Sequence, residues 1–407
     1  MRLLYVDFQA DSLDSAKRKI NLLSQVLNYN SRTMEKLTPR ARFNCIMNHQ
    51  VADRVPLDLA GTSLTAIDSK VAAALKTELA ISGEDPGEYR AFDERILQAL
   101  DIDFRRVGRL IASGDRPLAG RPGYKVDMWG VVRAWTGRYW DIVTSPLKGA
   151  SLDDLEGFPW PDPAAVIDES ELDSFRTEAR RLWEKTDFVV VAEHPVYGMF
   201  ELACWMCGFE DFLWRLAADK PFVHALFKRL LAFQKEFIRP YYQAVGDFIH
   251  LTTSGDDFGM QTGPFMAPAR FRELIKPYFA ERISFTHQWT PAHFWHHTCG
   301  SVYDLVPDLI EAGVEILNPI QPGAHKMEPE RLKADFGDRL CIHGGFDTQQ
   351  VLPFGSEDDI RREIARVMDA MKPGGGYIFS AAHNIQDDVP AANVVTLFRE
   401  ARRLGSY

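Results

Sequence analysis

The sequence lacks the features that mark membrane, secreted and nucleic-acid-binding proteins. Its 407 residues contain no run of about 18 uninterrupted apolar residues, so it predicts no membrane span. Acidic residues come early at the N-terminus, where a secretory signal would have an apolar core. The net charge is −10, whereas nucleic-acid-binding proteins are usually basic. We therefore expect a cytoplasmic protein with no membrane partner and no nucleic-acid partner.

Cysteine is scarce, and one common nucleotide-binding motif is absent. Five scattered cysteines are too few for a disulfide scaffold. Cys204 and Cys207 have C-x-x-C spacing, but they lie in a helical context where such residues simply share a face. No G-x-G-x-x-G sequence follows the first predicted strand, which argues against a Rossmann domain.

Histidine, by contrast, is concentrated in one part of the chain. Eight of the 11 histidines lie between residues 250 and 383, although this segment is only a third of the sequence. Histidine binds metals and exchanges protons near neutral pH. The C-terminal third is therefore where we expect the chemistry.

Short apolar runs alternate with amphipathic helices along most of the chain. Eight runs are candidate strands: 55–60, 104–110, 189–194, 248–257, 293–300, 314–321, 339–347 and 376–384. Apolar strands alternating with helices indicate a parallel sheet covered on both faces, and eight of them favour an α/β fold of the (β/α)₈ TIM-barrel type. A doubly wound open sheet is the alternative.

Three segments make up the predicted domain organisation. Residues 1–38 form an N-terminal helical extension, and residues 39–407 form the barrel. Residues 111–187 are too long for one connection and are rich in tryptophan. We interpret them as an insertion after the second strand, packed over or beside the barrel mouth.

In a barrel of this type, active sites form where the strands end. His297 and Cys299 are two residues apart, so on a strand their side chains point to the same side, and both are preferred zinc donors. A catalytic zinc usually has a third protein ligand. His383 is our first choice for it, and Glu193 or His194 is the second. The pair is equally consistent with a buried histidine and cysteine in a barrel core.

Other polar residues at strand ends are candidates for catalysis or substrate contact. Asp256 and Asp257 follow one strand, and Glu193 ends another. Such carboxylates can orient a ligand or transfer a proton, although adjacent acids also occur as helix caps or in solvated turns. The candidate substrate contacts are His194, Asn318 and His343.

The chain resembles the uroporphyrinogen decarboxylase superfamily over roughly residues 39–405. The resemblance rests on these stretches: RARFNCIMNHQVADRVPLDLAG, SPLKGASLDDLEGFPWPDP, SGDDFGMQTGPFMAPARFRELIKPY, HTCGSV, LKADFGDRLCIHGGFDTQQVLP and GGGYIFSAAHNIQDDVPAANV. It implies a (β/α)₈ barrel. The arginine-rich motif of true porphyrinogen decarboxylases is replaced by LDLAGTS after Arg54-Val55-Pro56. The chain is therefore more similar to the corrinoid-dependent methyltransferase branch, which includes O-demethylases and coenzyme M methyltransferases.

The resemblance also implies a metal site. Thiol-methylating members of that branch bind zinc through H-x-C and a late cysteine. His297-Thr298-Cys299 matches H-x-C, and His383 stands at the position of the late cysteine. The site thus has one thiolate fewer, which favours an oxygen- or nitrogen-linked methyl donor over coenzyme M.

The function that the resemblance implies is a zinc-dependent methyltransferase. It would move a methyl group between a small methylated compound, such as an aryl methyl ether, and a corrinoid (cobalamin) cofactor. The chain carries no corrinoid-binding D-x-H-x-x-G motif, so we expect a corrinoid protein as partner or free corrinoid.

Two other functions remain open on the sequence. A metal-independent decarboxylase of the uroporphyrinogen decarboxylase type would need carboxylate-binding cations at the mouth, for which Arg109, Arg270 and Lys276 are the nearest candidates. A non-catalytic binding barrel would need neither the metal nor these cations.

Overall fold

The computed structural model describes residues 36–137 and 139–407. The helical extension predicted for residues 1–38 therefore lies outside the described residues, except for its last three positions. Among the described residues, no helix combines the length and the apolar character needed to cross a membrane.

Seven parallel strands form one sheet in which neighbours follow chain order. They are β1 (Phe104–Val107), β2 (Val189–Ala192), β3 (Leu251–Gly255), β4 (His293–His297), β5 (Ile316–Ile320), β6 (Cys341–Gly344) and β7 (Tyr377–Ile378). Each lies within a predicted run but is shorter, because the polar residues at its carboxyl end leave the sheet to form loops.

The extended segment 55–58, here called the closing segment, joins the two edges of this sheet. On one side, the N–H of Phe379, directly after β7, donates to the carbonyl of Pro56. On the other side, the N–H of Asp103, directly before β1, donates to the carbonyl of Leu57. The closing segment takes the eighth place, and the predicted (β/α)₈ barrel is confirmed.

Helices cover the outer face of the barrel and connect its strands. They are Pro39–Met47, Ser69–Glu78, Glu94–Ala99, Leu152–Gly157, Glu169–Lys185, Met199–Cys207, Phe209–Ala218, Lys220–Val245, Pro268–Arg270, Lys276–Thr286, Val306–Ala312, Pro329–Phe336, Val351–Phe354, Glu357–Met371 and Ala391–Leu404, with a π-helical turn at Phe271–Ile275. Thr38 caps the first of these helices, since its side chain accepts the N–H of Ala41. Ser356 and Asp359 form a capping box at the start of helix Glu357–Met371.

Strand β4 shows how alternation places side chains. Trp295 lies in the barrel interior. His296 faces the opposite way and packs on Phe279 of helix Lys276–Thr286, with ring centroids 4.6 Å apart. His297 therefore faces inward, one layer above Trp295, at the carboxyl end of the strand. The opposite end of the interior is closed by Phe43 from helix Pro39–Met47.

The predicted insertion contains a small sheet of its own. Four antiparallel strands follow β1: Arg116–Pro117, Tyr124–Val126, Val132–Trp135 and Trp140–Thr144. The N–H groups of Ile111 and Ala112 donate to the carbonyl of Pro195, just past β2, so the insertion begins beside the barrel mouth. Helix Glu169–Lys185 lies within the predicted bounds but packs on β1 and β2 as an ordinary barrel helix. The insertion proper is thus shorter than 111–187.

A buried ion-pair network holds the closing segment in place. The Asp103 carboxylate is fully buried and accepts hydrogen bonds from Arg42 and from Arg54, whose Nη1 lies 2.6 Å away. It also accepts the N–H of Leu57 at 2.7 Å, within the closing segment. One carboxylate therefore connects helix Pro39–Met47, which contains Arg42, with the closing segment and the start of β1.

We expect Asp103→Ala to destabilise the protein by about 3–5 kcal/mol, because Arg54 loses its buried anion and Arg42 keeps only Asp53 of its two. Urea unfolding checks this value. Asp173→Ala, which removes an exposed pair with Arg176, is the control and should change stability little. Equal losses for the two variants would show that the network does not hold the barrel closed.

Candidate metal site at the carboxyl ends of the strands

Three metal-competent side chains meet at the barrel mouth. The ligand atoms of His297, Cys299 and His383 all lie within 4.8 Å of one another, and His297 Nε2 is 3.2 Å from Cys299 Sγ. Donors bound to one tetrahedral zinc would be about 3.3–3.8 Å apart. His297 ends β4 and Cys299 follows it directly in the next loop, whereas His383 comes from the loop after β7, far along the chain. Glu193 and His194, the other predicted choices for a third ligand, do not join this group.

Hydrogen bonds orient both imidazoles. Nδ1 of His297 lies 2.8 Å from Oδ1 of Asn318, an acceptor, so this nitrogen carries the proton and Nε2 keeps its lone pair. Nδ1 of His383 accepts the N–H of Asn384 at 2.8 Å, so the proton of the neutral ring is on Nε2, and a metal bound at Nε2 would displace it. Asn318, predicted to contact substrate, thus orients a candidate metal ligand instead.

Burial sets the protonation state of the cluster. It lowers the pKa of His297 to about 4 and also lowers the pKa of His383, so both rings are neutral near pH 7. Burial, reinforced by Asp257, raises the pKa of the Cys299 thiol. The cluster thus offers two neutral imidazoles and a thiol that ionises only when a positive charge is nearby. This set of donors suits a cation.

Asp256 holds a helix rather than facing the cluster. It is 2% exposed, and its two carboxylate oxygens accept the N–H groups of Phe200 and Glu201 at 2.9 and 2.8 Å. Those groups belong to the first turn of helix Met199–Cys207, whose own cap residue, Gly198, offers no side chain. A Cβ at Gly198 would lie 2.3 Å from Asp256 Cγ, so this contact requires glycine. The arrangement argues against the predicted catalytic role of Asp256.

Two other acids lie near the cluster. Oδ1 of Asp257 accepts the N–H of Cys299 at 2.7 Å and lies 3.9 Å from His297 Nε2. Burial, followed by the charges of Asp257 and Asp256, raises the pKa of Glu201 well above its usual range and so favours the protonated carboxyl. No pattern in the sequence singles out Glu201, because a glutamate in the first turn of a helix is commonplace.

The remaining predicted residues lie deeper in the wall of the barrel. Glu193 is 2% exposed and accepts the N–H of Ser63 at 2.6 Å, and Nδ1 of His194 is 2.8 Å from its other oxygen. Burial opposes ionisation, yet His194, Arg106 and the Ser63 N–H together lower the pKa of Glu193 to about 2. Glu193 is thus a fixed anion, and its predicted role in proton transfer stays a prediction without support from this geometry.

His343 is enclosed in the interior with an acid that the sequence analysis did not single out. Trp295 Nε1 donates to Nδ1 of His343 at 2.7 Å, and His343 Nε2 lies 3.2 Å from Asp58 Oδ2 without hydrogen-bond geometry. Both His343 and Asp58 are 1% exposed. The signal for Asp58 was available, since it is a lone acid within an apolar run. The predicted substrate contact of His343 would require access that this structure does not show.

We expect Asp256→Ala to destabilise the protein by about 2–4 kcal/mol, because two buried N–H groups lose their acceptor. Asp256→Asn should cost less, since burial already raises the pKa of Asp256 to about 7 and an amide retains one acceptor. Urea unfolding measures both. Asp168→Ala, which removes an exposed N-cap, is the matched control. A loss at Asp256 no larger than at Asp168 would contradict the capping role.

Comparisons with known proteins agree with this architecture. The family model described as uroporphyrinogen decarboxylase (URO-D) matches residues 148–404. A uroporphyrinogen decarboxylase of Sodalis glossinidius is 35% identical over 68 residues, which are 17% of this chain and 19% of that protein. One of Psychromonas ingrahamii is 33% identical over 61 residues, 15% of this chain and 17% of that protein. These matches thus span less than a fifth of the length of the curated relatives.

A solved structure is similar over nearly the whole fold. The structure of a methyltransferase from Methanosarcina mazei matches with a TM-score of 0.59 and 16% identity, covering 90% of this chain and 99% of that one. This likeness establishes the shared barrel architecture. Because the family model covers more than half of the sequence, the chain belongs to the uroporphyrinogen decarboxylase family.

Proposed function

We propose that this protein is a zinc-dependent methyltransferase that moves a methyl group between a small methylated compound and a corrinoid carried by a partner protein. The observation that carries the proposal is the convergence of His297, Cys299 and His383 at the barrel mouth. The fold shared with a Methanosarcina mazei methyltransferase supports it. An aryl methyl ether is the methylated compound that we favour.

The residues present fit zinc on three counts. The donors are two neutral imidazoles and one thiol, the ligand types that zinc prefers. Asn318 fixes the ring of His297 with its Nε2 lone pair available. Three protein ligands also leave a fourth position for a substrate atom. When bound, the ion would act as a Lewis acid on the heteroatom that carries or accepts the methyl group.

The chain's own acids have distinct roles in this proposal. Asp257 fixes the backbone of Cys299 and places a negative charge 3.9 Å from His297 Nε2. Glu201 supplies a proton. In demethylation of an ether, the electron pair of the broken carbon–oxygen bond stays on oxygen, and the protonated Glu201 carboxyl neutralises that oxygen. Asp256 holds the first turn of the Glu201 helix in place.

Decarboxylation of porphyrinogens is the second candidate, favoured by the names of the curated relatives. One observation weighs against it. Arg54, which precedes the altered motif, is 2% exposed and bound to Asp103, so it is not available to a substrate carboxylate. The predicted cations Arg270 and Lys276 are likewise paired, with Glu273 and with Asp308.

We expect the purified protein to bind about one zinc per chain, and His297→Ala, Cys299→Ser and His383→Ala each to lose most of it. Elemental analysis after dialysis measures the metal content. Cys45→Ser and His287→Gln are matched controls outside the cluster and should retain zinc. Full zinc content in all three ligand variants, or an active metal-free wild type, would refute the metal site.

We expect cob(I)alamin to be consumed when the zinc-loaded protein is mixed with an aryl methyl ether, followed by corrinoid absorbance. Glu201→Gln should slow this reaction roughly 10²- to 10⁴-fold, because the leaving oxygen loses its proton donor. Glu210→Gln, an exposed glutamate on the next helix, is the control. Release of CO₂ from porphyrinogens without any methyl transfer would instead establish the decarboxylase.

A further inference from the structure

One inward-facing position beside the candidate metal cluster has no side chain of its own. Gly255 ends β3 and pairs in register with His297 on β4, so both positions face the barrel interior. A Cβ at Gly255 would lie 3.9 Å from His297 Cβ and 3.4 Å from Leu64 Cδ1. Leu64, which belongs to a loop and not to the sheet, therefore packs into the space that a side chain of β3 would otherwise fill.

Leu64 also covers the barrel interior. It is half-buried and packs against the interior cluster that contains Phe104, Trp295 and Cys341. Because it contacts Gly255 at the carboxyl end of β3, it covers this interior at the end where the metal cluster lies. A ligand bound at the cluster therefore cannot extend down into the barrel without displacing Leu64.

A tight turn after the closing segment directs the chain back across the barrel mouth. Oδ1 of Asp58 accepts the N–H of Gly61 at 2.9 Å. A Cβ at Gly61 would lie 2.2 Å from that oxygen, so the turn requires glycine there. Ala60 has a φ of 58°, a left-handed conformation that is costly for a residue with a side chain. Such strain persists only where the surrounding structure enforces it, and it is concentrated at functional sites.

Hydrogen bonds on both sides of Leu64 fix the loop that carries it. Before it, the N–H of Ser63 donates to the carboxylate of Glu193 at 2.6 Å, at the end of β2. After it, the N–H of Ala66 donates to Oδ1 of Asn384 at 2.8 Å, in the loop after β7. The loop is thus anchored on two sides of the mouth, and Leu64 lies between the anchors.

We propose that Leu64 is a specificity-determining residue of the metal site, an apolar wall that limits the bulk of the substrate held beside His297. This inference rests on the proposed function. A corrinoid on a partner protein approaches from solvent, so the methyl group has to point out of the mouth and the rest of the methylated compound lies toward Leu64. The substrate class is then a methyl ether whose other group is apolar and is flat or unbranched next to the oxygen.

The test measures thiol binding to the full-length protein loaded with Co²⁺ in place of zinc, through the absorbance of the cobalt–thiolate bond and without corrinoid. The probes are ethanethiol and 2-methyl-2-propanethiol, which is branched at the carbon that carries sulfur. We expect wild type to prefer ethanethiol, and Leu64→Ala to shift the affinity ratio toward the branched thiol roughly 10- to 100-fold, because the shortened side chain leaves room for the added methyl groups. Leu152→Ala, which shortens an exposed leucine of the insertion, is the matched control and should leave the ratio within about threefold of wild type.

Two further variants keep the test independent of how well Leu64→Ala folds. Leu64→Met conserves the side-chain volume and should keep the wild-type ratio. Leu64→Val removes one carbon and should shift the ratio in the same direction as Leu64→Ala, but by less. A ratio equal to that of wild type in both Leu64→Ala and Leu64→Val would overturn the proposal, as would equal affinity of wild type for the two thiols.

The outcomes separate this inference from the proposed function. Failure of wild type to bind Co²⁺ would refute the metal site and this inference with it. Binding of Co²⁺ and both thiols with an unchanged ratio in the Leu64 variants would overturn the role of Leu64 alone and leave the methyltransferase standing. A ratio that depends on Leu64, without methyl transfer from an aryl methyl ether to cob(I)alamin, would support the wall at the metal and refute the methyltransferase.

Discussion

The Asp103 carboxylate, buried between Arg42 and Arg54, is the interaction on which the rest of the structure depends. The closing segment is short and shares few backbone hydrogen bonds with its neighbours, so this carboxylate supplies much of what holds it. Closure of the barrel brings the loop after the closing segment next to the loop after β7. That juxtaposition places Ala66 beside Asn384 and sets the position of His383. The carboxylate at the bottom of the barrel thus holds the closing segment, and the loop that follows this segment contacts the loop that carries His383.

The candidate metal cluster is built from groups that burial keeps uncharged. Burial lowers the pKa of His297 and raises the pKa of Cys299, so neither ionises without a compensating charge nearby. The hydrogen bonds of Asn318 to His297 and of Asp257 to the Cys299 backbone are nevertheless fully formed. The protein therefore arranges the ligands in advance, which reduces the reorganisation that binding a cation would require.

The carboxyl groups around the barrel mouth have different pKa values because different charged and hydrogen-bonding groups surround them. Glu193 is surrounded by donors and its pKa is lowered to about 2, whereas Glu201 faces Asp256 and Asp257 and its pKa is raised. One carboxyl group at the mouth is thus held ionised, and burial and neighbouring acids favour the proton on the other.

Local pattern in the sequence was enough to predict the barrel class, the strand positions and the pair His297 and Cys299, because these depend on the alternation of strands and helices and on the two-residue period of a strand. The resemblance already favoured His383 as the third residue. That its ligand atom lies beside the pair, and that Glu193 does not join the group, was decided only by tertiary structure, since it depends on which strand ends converge once the barrel closes. The same holds for Asp256, whose partners lie some 55 residues earlier, and for Glu201, whose protonation reflects acids from another strand. The sequence determined which residue types end the strands. The closed barrel decided which of them meet, because distances between strand ends are set by long-range packing and not by local spacing.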